Sequence, residues 1–233
     1  MIKYDMKQML ESAVHFGHKT QKWNPKMRRY LYGSKNGVHI FDLQKTQDCL
    51  VKAVEFLNHS AANGKNILLV STKPQASQYI VEAANASHMP YVVHKWMGGL
   101  LTNFGTMKVR IRYFRSLKDQ EKNGEFDKYT KKEASGLRKQ IIKLDAALGG
   151  VSELDRLPDV VFVADAVRDR IAIREANKMK IPVVAICDSN ADPDGVAYPI
   201  PGNDDAVKSL TYLITAVKDA ILAGKGAVKK SAE

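Results

Sequence analysis

The sequence predicts an α/β domain, a doubly wound parallel sheet into which one antiparallel coiled-coil helical hairpin is inserted. Three observations carry this. Short runs rich in β-branched residues recur along the 233 residues, and they are continuous rather than alternating, as in strands covered on both faces. Amphipathic segments separate these runs, which implies right-handed crossovers. Residues 105–150 break the alternation with apolar side chains at heptad spacing.

Taken in order, "DMKQMLESAVHFG" reads as a short helix with Asp5 as N-cap, Gln8 three residues on and Gly17 as C-cap. "YLYGSKNGVHIFDL" (30–43) reads as a β-hairpin turning at Asn36-Gly37. "TQDCLVKAVEFLNHSAANG" (46–64) has a Thr start signal, Leu50, Val54 and Leu57 at helical spacing, and a Gly stop. Strand "NILLVS" (66–71) leads into helix 73–87, whose Pro74 falls in the first turn, where a missing N–H costs nothing. "PYVVH" (90–94) is the next strand. In the insert, Met107, Ile111, Phe114 and Leu117, then Ala134, Leu137, Ile141, Leu144 and Leu148, form one seam on two helices joined by a polar turn. Strands "DVVFVAD" (159–165) and "PVVAICD" (182–188) flank helix 166–180, and "GVAYPI" (195–200) is a weaker strand. The last helix, 203–224, opens on Asn203, Asp204 and Asp205, residues that suit the positive end of a helix. The organisation is therefore a globular α/β domain over 1–104 and 151–226 with an N-terminal helix and hairpin arm, a coiled-coil hairpin over 105–150, and a disordered tail over 227–233.

The formal charge is +11, which points to a polyanionic partner such as nucleic acid. Residues 1–35 and 105–150 each carry a net +6, leaving −1 for the rest. The basic character belongs to two segments attached to a nearly neutral body. Cys49 and Cys187 lie far apart in apolar patterns and read as ordinary thiols in a reducing compartment. The first ten residues have neither a signal h-region nor transit-peptide composition, and no apolar run approaches a membrane span. The expectation is a soluble cytoplasmic protein with no membrane partner.

No Gly-x-Gly-x-x-Gly follows a first strand, so dinucleotide binding is disfavoured; Thr72-Lys73-Pro74 stands where a phosphate loop would be. Ser71, His94, Asp165 and Asp188 fall at carboxyl ends of strands, and "CDSNADPDG" adds Asp192 and Asp194. Carboxylates so placed suit a metal-dependent enzyme; the plainer alternative is ordinary turn chemistry, and no nucleophile or His-Glu-x-x-His motif accompanies them. The densest stretch is "HFGHKTQKWNPKMRRYLYG" (15–33). Lys19, Lys22, Lys26, Arg28 and Arg29 pair with phosphates in such a stretch, and Trp23 and Tyr30 offer planes for exposed bases. Asn24-Pro25 favours a turn presenting Trp23. The alternative is a solvated basic loop whose Trp23 packs on the hairpin. His15 and His18 are not by themselves a site. His18 could nevertheless join Asp188, at a strand end, and Asp204, at the start of the last helix, in a structural zinc site with an open position. The alternative is that Asp204 merely caps its helix and His18 bonds a phosphate or carbonyl.

The blocks "HFGHKTQKWNPKMRRYLYGSKNGVHIFDLQKT", "WMGGLLTNF", "LPDVVFVAD" and "IPVVAICDSNADPDGVAYPIPGNDDA" resemble the signature blocks of the small-subunit ribosomal protein two (S two) family, in family order from His15 to about Gly224. The inserted hairpin resembles the bacterial and organellar branch. The resemblance implies a flavodoxin-like sheet with a protruding coiled coil and a non-enzymatic role without required cofactor or small-molecule substrate. It implies binding to small-subunit ribosomal RNA between head and body, and a dock for the mRNA-binding ribosomal protein one. Carried over residue by residue, it assigns Lys22, Trp23, Asn24, Pro25, Lys26 and Arg28 to RNA, with Trp96 and Asn103 near the hairpin root. A non-ribosomal RNA-binding regulator is the remaining alternative.

Overall fold

The computed structural model describes residues 4–231. Its centre is a five-stranded parallel sheet of β4 (Ile67–Val70), β5 (Tyr91–Val92), β6 (Val160–Val163), β7 (Val183–Cys187) and β8 (Tyr198–Pro201), in the order β5-β4-β6-β7-β8. All five predicted strands are present. The apolar runs divide by a period of two between the two faces. Leu68, Val70, Val161, Val163, Val183, Ala185 and Cys187 meet one layer, while Ile67, Leu69, Val160, Phe162, Val184 and Ile186 meet the other. The second layer consists of α2 (Leu43–Ala62), α3 (Pro74–Ser87) and α7 (Val207–Ser231). The first holds α6 (Arg170–Lys178), and the root of a helical hairpin of α4 (Phe104–Lys122) and α5 (Lys131–Leu148) joins its apolar cluster. The architecture is the predicted doubly wound, flavodoxin-like one.

The hairpin helices meet along the predicted seam: Met107, Ile111, Phe114 and Leu117 of α4 are buried, as are Ala134, Ile141 and Leu148 of α5, with Leu137 and Leu144 half-buried. A capping box at Thr130 and Glu133 starts α5. At its root the seam runs into the apolar layer beneath β4, β6 and β7.

Several boundaries differ from the sequence reading. The first helix, α1, covers only Met6–Glu11; Asp5 caps it by accepting from the Lys7 N–H at 2.9 Å. Gly17 is no C-cap. It lies in an unpredicted strand, β1 (Phe16–Lys19), which pairs antiparallel with β3 (Val38–Phe41) beside β2 (Leu31–Lys35). The β2–β3 turn falls on Asn36-Gly37 as expected. Helix α2 starts earlier than Thr46, because Asp42 caps it and Thr46 is buried one turn in. Helix α6 starts only at Arg170, since residues 165–168 are held in an Asp165 turn. Gly224 does not stop α7: a Cβ there would lie 2.3 Å from the Asn58 carbonyl of α2, so the glycine lets two helices approach. The helix continues to Ser231, through most of the tail expected to be disordered; residues 1–3 and 232–233 lie outside the described chain. Asp204 does not cap α7 either. Asn203 does the local work, accepting from the Asp205 and Ala206 N–H groups at 2.9 and 3.1 Å.

Ile141 sits buried in the middle of the seam. We expect Ile141→Asp to cost the hairpin about 3–5 kcal/mol, the effect of an unpaired buried charge, while the sheet keeps its cooperative transition. Hydrogen exchange resolved by segment checks this; simultaneous loss of protection in β4, β6 and β7 would contradict it.

Candidate nucleic-acid interface

The 19–29 segment is a rigid frame, not a loose loop. After β1 it forms a 3-10 turn over Thr20–Lys22 and a second over Pro25–Tyr30. Asn24 caps the second by accepting from the Lys26 N–H at 3.0 Å, and Pro25 occupies its first position. Met27 is fully buried beneath it. The frame is tied to the β7 edge by the Asn24 N–H, which donates to the Ser189 carbonyl at 2.7 Å.

That frame sorts the predicted RNA residues. Lys19, Lys22, Arg28 and Arg29 are exposed, and none forms an ion pair among the described residues; those on this segment belong to His18 and Lys26. The Arg29 guanidinium lies over the Tyr30 ring, 4.8 Å from its centroid. Lys26 is committed internally, its Nζ lying 2.9 Å from Asp192 Oδ2 and 2.6 Å from Asp194 Oδ2. The two carboxylates hold the Lys26 ammonium above its ordinary pKa. Trp23 is half-buried and packs on His39 of the hairpin, ring centroids 5.0 Å apart. It adopts the alternative placement foreseen for it. Trp96 is buried at the hairpin root, and its Nε1 donates to Glu175 at 3.0 Å. Asn103 is exposed at the start of α4 and accepts from the Thr106 hydroxyl at 3.0 Å.

Glu175 explains the turn between β5 and the hairpin. Its buried carboxylate accepts from Trp96 Nε1, from the N–H groups of Gly99, Leu101 and Thr102 at 2.8, 3.0 and 3.2 Å, and from the Thr102 hydroxyl. Burial alone would raise its pKa, but these donors outweigh it and hold the carboxyl below its usual range. The signal in the sequence was an acid at a core-facing position, since Ala172 and Ala176 of the same stripe are buried.

The carboxyl edge of the sheet carries the second cluster. Asp188 directly follows β7 and is buried; its Oδ1 accepts from the His18 N–H at 3.2 Å and the Ser189 hydroxyl at 3.0 Å, and lies 3.1 Å from His18 Nδ1. Gly17 allows this approach, because a Cβ there would sit 2.9 Å from Ser189 Oγ. Asp204 is equally buried, and its N–H donates to Asp188 Oδ2 at 3.3 Å. His18, Asp188 and Asp204 each place a ligand atom within 4.8 Å of the other two. The sequence reading did not anticipate Lys73. Its buried ammonium lies 2.8 Å from Asp204, 2.6 Å from Asp205 and 3.3 Å from Asp165. The signal was a lysine directly after a strand end that gathers acids. Burial opposes the Lys73 charge, but hydrogen bonds to Asp204 and Asp205 raise its pKa. The hydrogen bond to Asp188 raises His18 to about 9. Burial, together with the neighbouring Asp165 and Asp188 carboxylates, pushes Asp204 up to about 7. Of the other edge groups, Ser71 is buried and His94 exposed. Asp192 and Asp194 serve Lys26. Both cysteines are free, Cys187 buried and Cys49 half-buried. Among the described residues no helix is long and apolar enough to cross a membrane.

Replacing Glu175 by Gln should cost about 2–4 kcal/mol, since one or two loop N–H groups lose their acceptor. Urea unfolding reads the loss. The depressed Glu175 pKa gives a sign for acid: the clamp's contribution is complete above the ordinary glutamate value near 4.3 and is lost as pH falls through the lower folded value. Wild type should therefore lose this increment below about pH 4, while Glu175→Gln lacks it at every pH.

With the geometry in place, comparison with known proteins is direct. Residues 9–224 match the family described as Ribosomal protein S2. The chain is 46% identical over 228 residues to the small ribosomal subunit protein uS2 of Dictyoglomus turgidum, covering 98% of this chain and 93% of that one. The uS2 proteins of Hahella chejuensis and Campylobacter curvus are also 46% identical, over 96% and 98% of this chain and 88% and 87% of theirs.

Proposed function

We propose that this chain, which belongs to the ribosomal protein S2 family, binds small-subunit ribosomal RNA through the 19–29 frame. It is a structural component of the small ribosomal subunit, not an enzyme, and works in the cytoplasm as part of the ribosome. The observation that carries the RNA reading is the set of four exposed, unpaired cations, Lys19, Lys22, Arg28 and Arg29, on a frame fixed to the sheet edge. Preorganised cations lose little freedom on meeting phosphates. Asn103 at the hairpin root adds a polar contact. Trp23 and Lys26 support the frame from within, by packing on His39 and bridging to Asp192 and Asp194. The hairpin is a separable unit reaching a second RNA element. Family resemblance supports the further reading that the protein helps dock the mRNA-binding ribosomal protein one.

The test separates phosphate contact from scaffolding. Lys22→Ala, Arg28→Ala and Arg29→Ala together should lower incorporation into small subunits and reduce the salt slope of RNA binding by about 2–3. Lys26→Ala should lower affinity with a slope change well under one. Full incorporation of the triple variant at high salt would contradict the reading.

A second reading rests on His18, Asp188 and Asp204. One imidazole and two carboxylates, with one position open to water or a partner, suit zinc; magnesium would not need the histidine. The donor set fits, because a dication would take the place of the protons that His18 and Asp204 otherwise favour, with the Lys73 ammonium moving off Asp204 to admit it. The site would fasten β1 to the body more firmly than the His18–Asp188 contact alone. Elemental analysis of protein purified without chelators should find stoichiometric zinc, and His18→Ala should lose it. Substoichiometric zinc in the wild type would remove the idea.

A further inference from the structure

The body is neutral by count but not by surface. Among the described residues its buried charges are five acids, Asp165, Asp169, Glu175, Asp188 and Asp204, against the single base Lys73. The cations that balance them in the total are therefore left outside. On α6 the separation is complete: Glu175 points inward, while Arg170, Arg174 and Lys178 are exposed. Asp169, just before the helix, is also buried; it accepts from the Thr72 N–H and hydroxyl at 3.0 and 2.8 Å. The arginine ion pairs of the described residues are those of Arg115, Arg138 and Arg156. Arg170 and Arg174, one turn apart on one side of α6, take part in none.

These two guanidiniums border a crevice of about 310 Å³ between α6 and the loops at the β7 edge. Asn24 of the 19–29 frame forms part of its wall, so the crevice is continuous with the cationic segment. Asp192 also lines it, but its carboxylate is occupied by Lys26 at 3.0 and 2.9 Å. The Asn177 amide closes one end by donating to the Gly195 carbonyl at 2.9 Å. Asn190 also lines the crevice, and its side-chain oxygen is buried without a hydrogen-bond donor. A buried acceptor left unpaired is costly, and turning the Asn190 amide into the crevice would let its oxygen meet a donor there. The exposed Val167 adds an apolar wall.

We propose that this crevice and the outward face of α6 form a second RNA-binding surface that takes one unpaired nucleotide. Arg170 and Arg174 meet its flanking phosphates and stack on its base, and Asn190, its amide turned into the crevice, accepts from a base N–H. Guanidinium planes and amide acceptors around a crevice are what splayed-out bases use, and a duplex cannot enter. The inference extends the RNA reading of the 19–29 frame and rests on it.

The experiment measures binding of a fluorescent 12-nucleotide single-stranded RNA and of the same sequence as a duplex. Wild type is compared with Arg170→Ala/Arg174→Ala, with the same two positions as Lys, and with the Lys22/Arg28/Arg29 triple alanine variant. The α6 alanine variant should lose about tenfold in affinity for the single strand, with a salt slope lower by about 1.4 for two phosphates, while duplex affinity changes less than twofold. The lysine variant should recover the slope but not the affinity, because ammonium groups lack the stacking plane. It also guards against misfolding, since it keeps both charges. Equal losses on single strand and duplex, or full rescue by lysine, would overturn the nucleotide crevice. Unchanged RNA binding with reduced subunit incorporation would assign the face to a protein partner and overturn the proposal. If the α6 variants bind normally while the triple variant does not, this inference fails alone; if neither is affected, the RNA reading of the 19–29 frame fails as well.

Discussion

Five carboxylates buried in the body of the domain have to be satisfied, and the way they are satisfied dictates much of the remaining structure. A buried carboxylate without partners costs several kcal/mol. Glu175 is met by four N–H groups and a hydroxyl from the 96–102 loop. Asp188 is met from β1 and the residue after β7. Asp165 and Asp204 share Lys73, and Asp169 takes the turn after β4. Each of these acids joins segments distant in sequence, so each fixes a connection as well as a charge.

Two of the connections hold the protein's appendages. Asp188 and Ser189 draw β1 across the carboxyl edge, and Gly17 makes the approach sterically open. The 3-10 frame with its four exposed cations follows directly from that anchorage. Glu175 does the equivalent at the hairpin root, where Trp96 is a donor and core residue rather than a surface plane. The outward charge of α6 is the counterpart of the inward charge of its acids. A cationic surface then emerges from a body whose net charge is near zero.

The sheet was legible because continuous β-branched runs have one stable use, burial on both faces, and the two heptad arms were legible because their seam repeats. His18, Asp188 and Asp204 were drawn together by topology alone: a strand end, a helix start and a loop free to cross them. Less legible was β1, whose four residues carry no alternation and pair only because Gly17 lets them approach the Asp188 loop. The last helix was bounded at Gly224, but that glycine answers to the Asn58 carbonyl of another helix. The internal pairing of Trp96 and Lys26 was not legible either. Their partners, Glu175 and the Asp192–Asp194 pair, stand far away in sequence, and local patterns do not show pairing at that range. Net charge summed by segment concealed α6, because a sum cannot tell buried acids from exposed bases.

The central claim is that internal pairing of these acids leaves one continuous cationic face, running from the 19–29 frame onto α6, for RNA. Hydrogen–deuterium exchange of the free protein against the protein in assembled small subunits tests it most directly. The account predicts new protection across residues 19–30 and the first two turns of α6, with no change in β4, β6 and β7, which are already slow in the free protein. Protection confined to the opposite layer of α2, α3 and α7, with 19–30 and α6 unchanged, would contradict it.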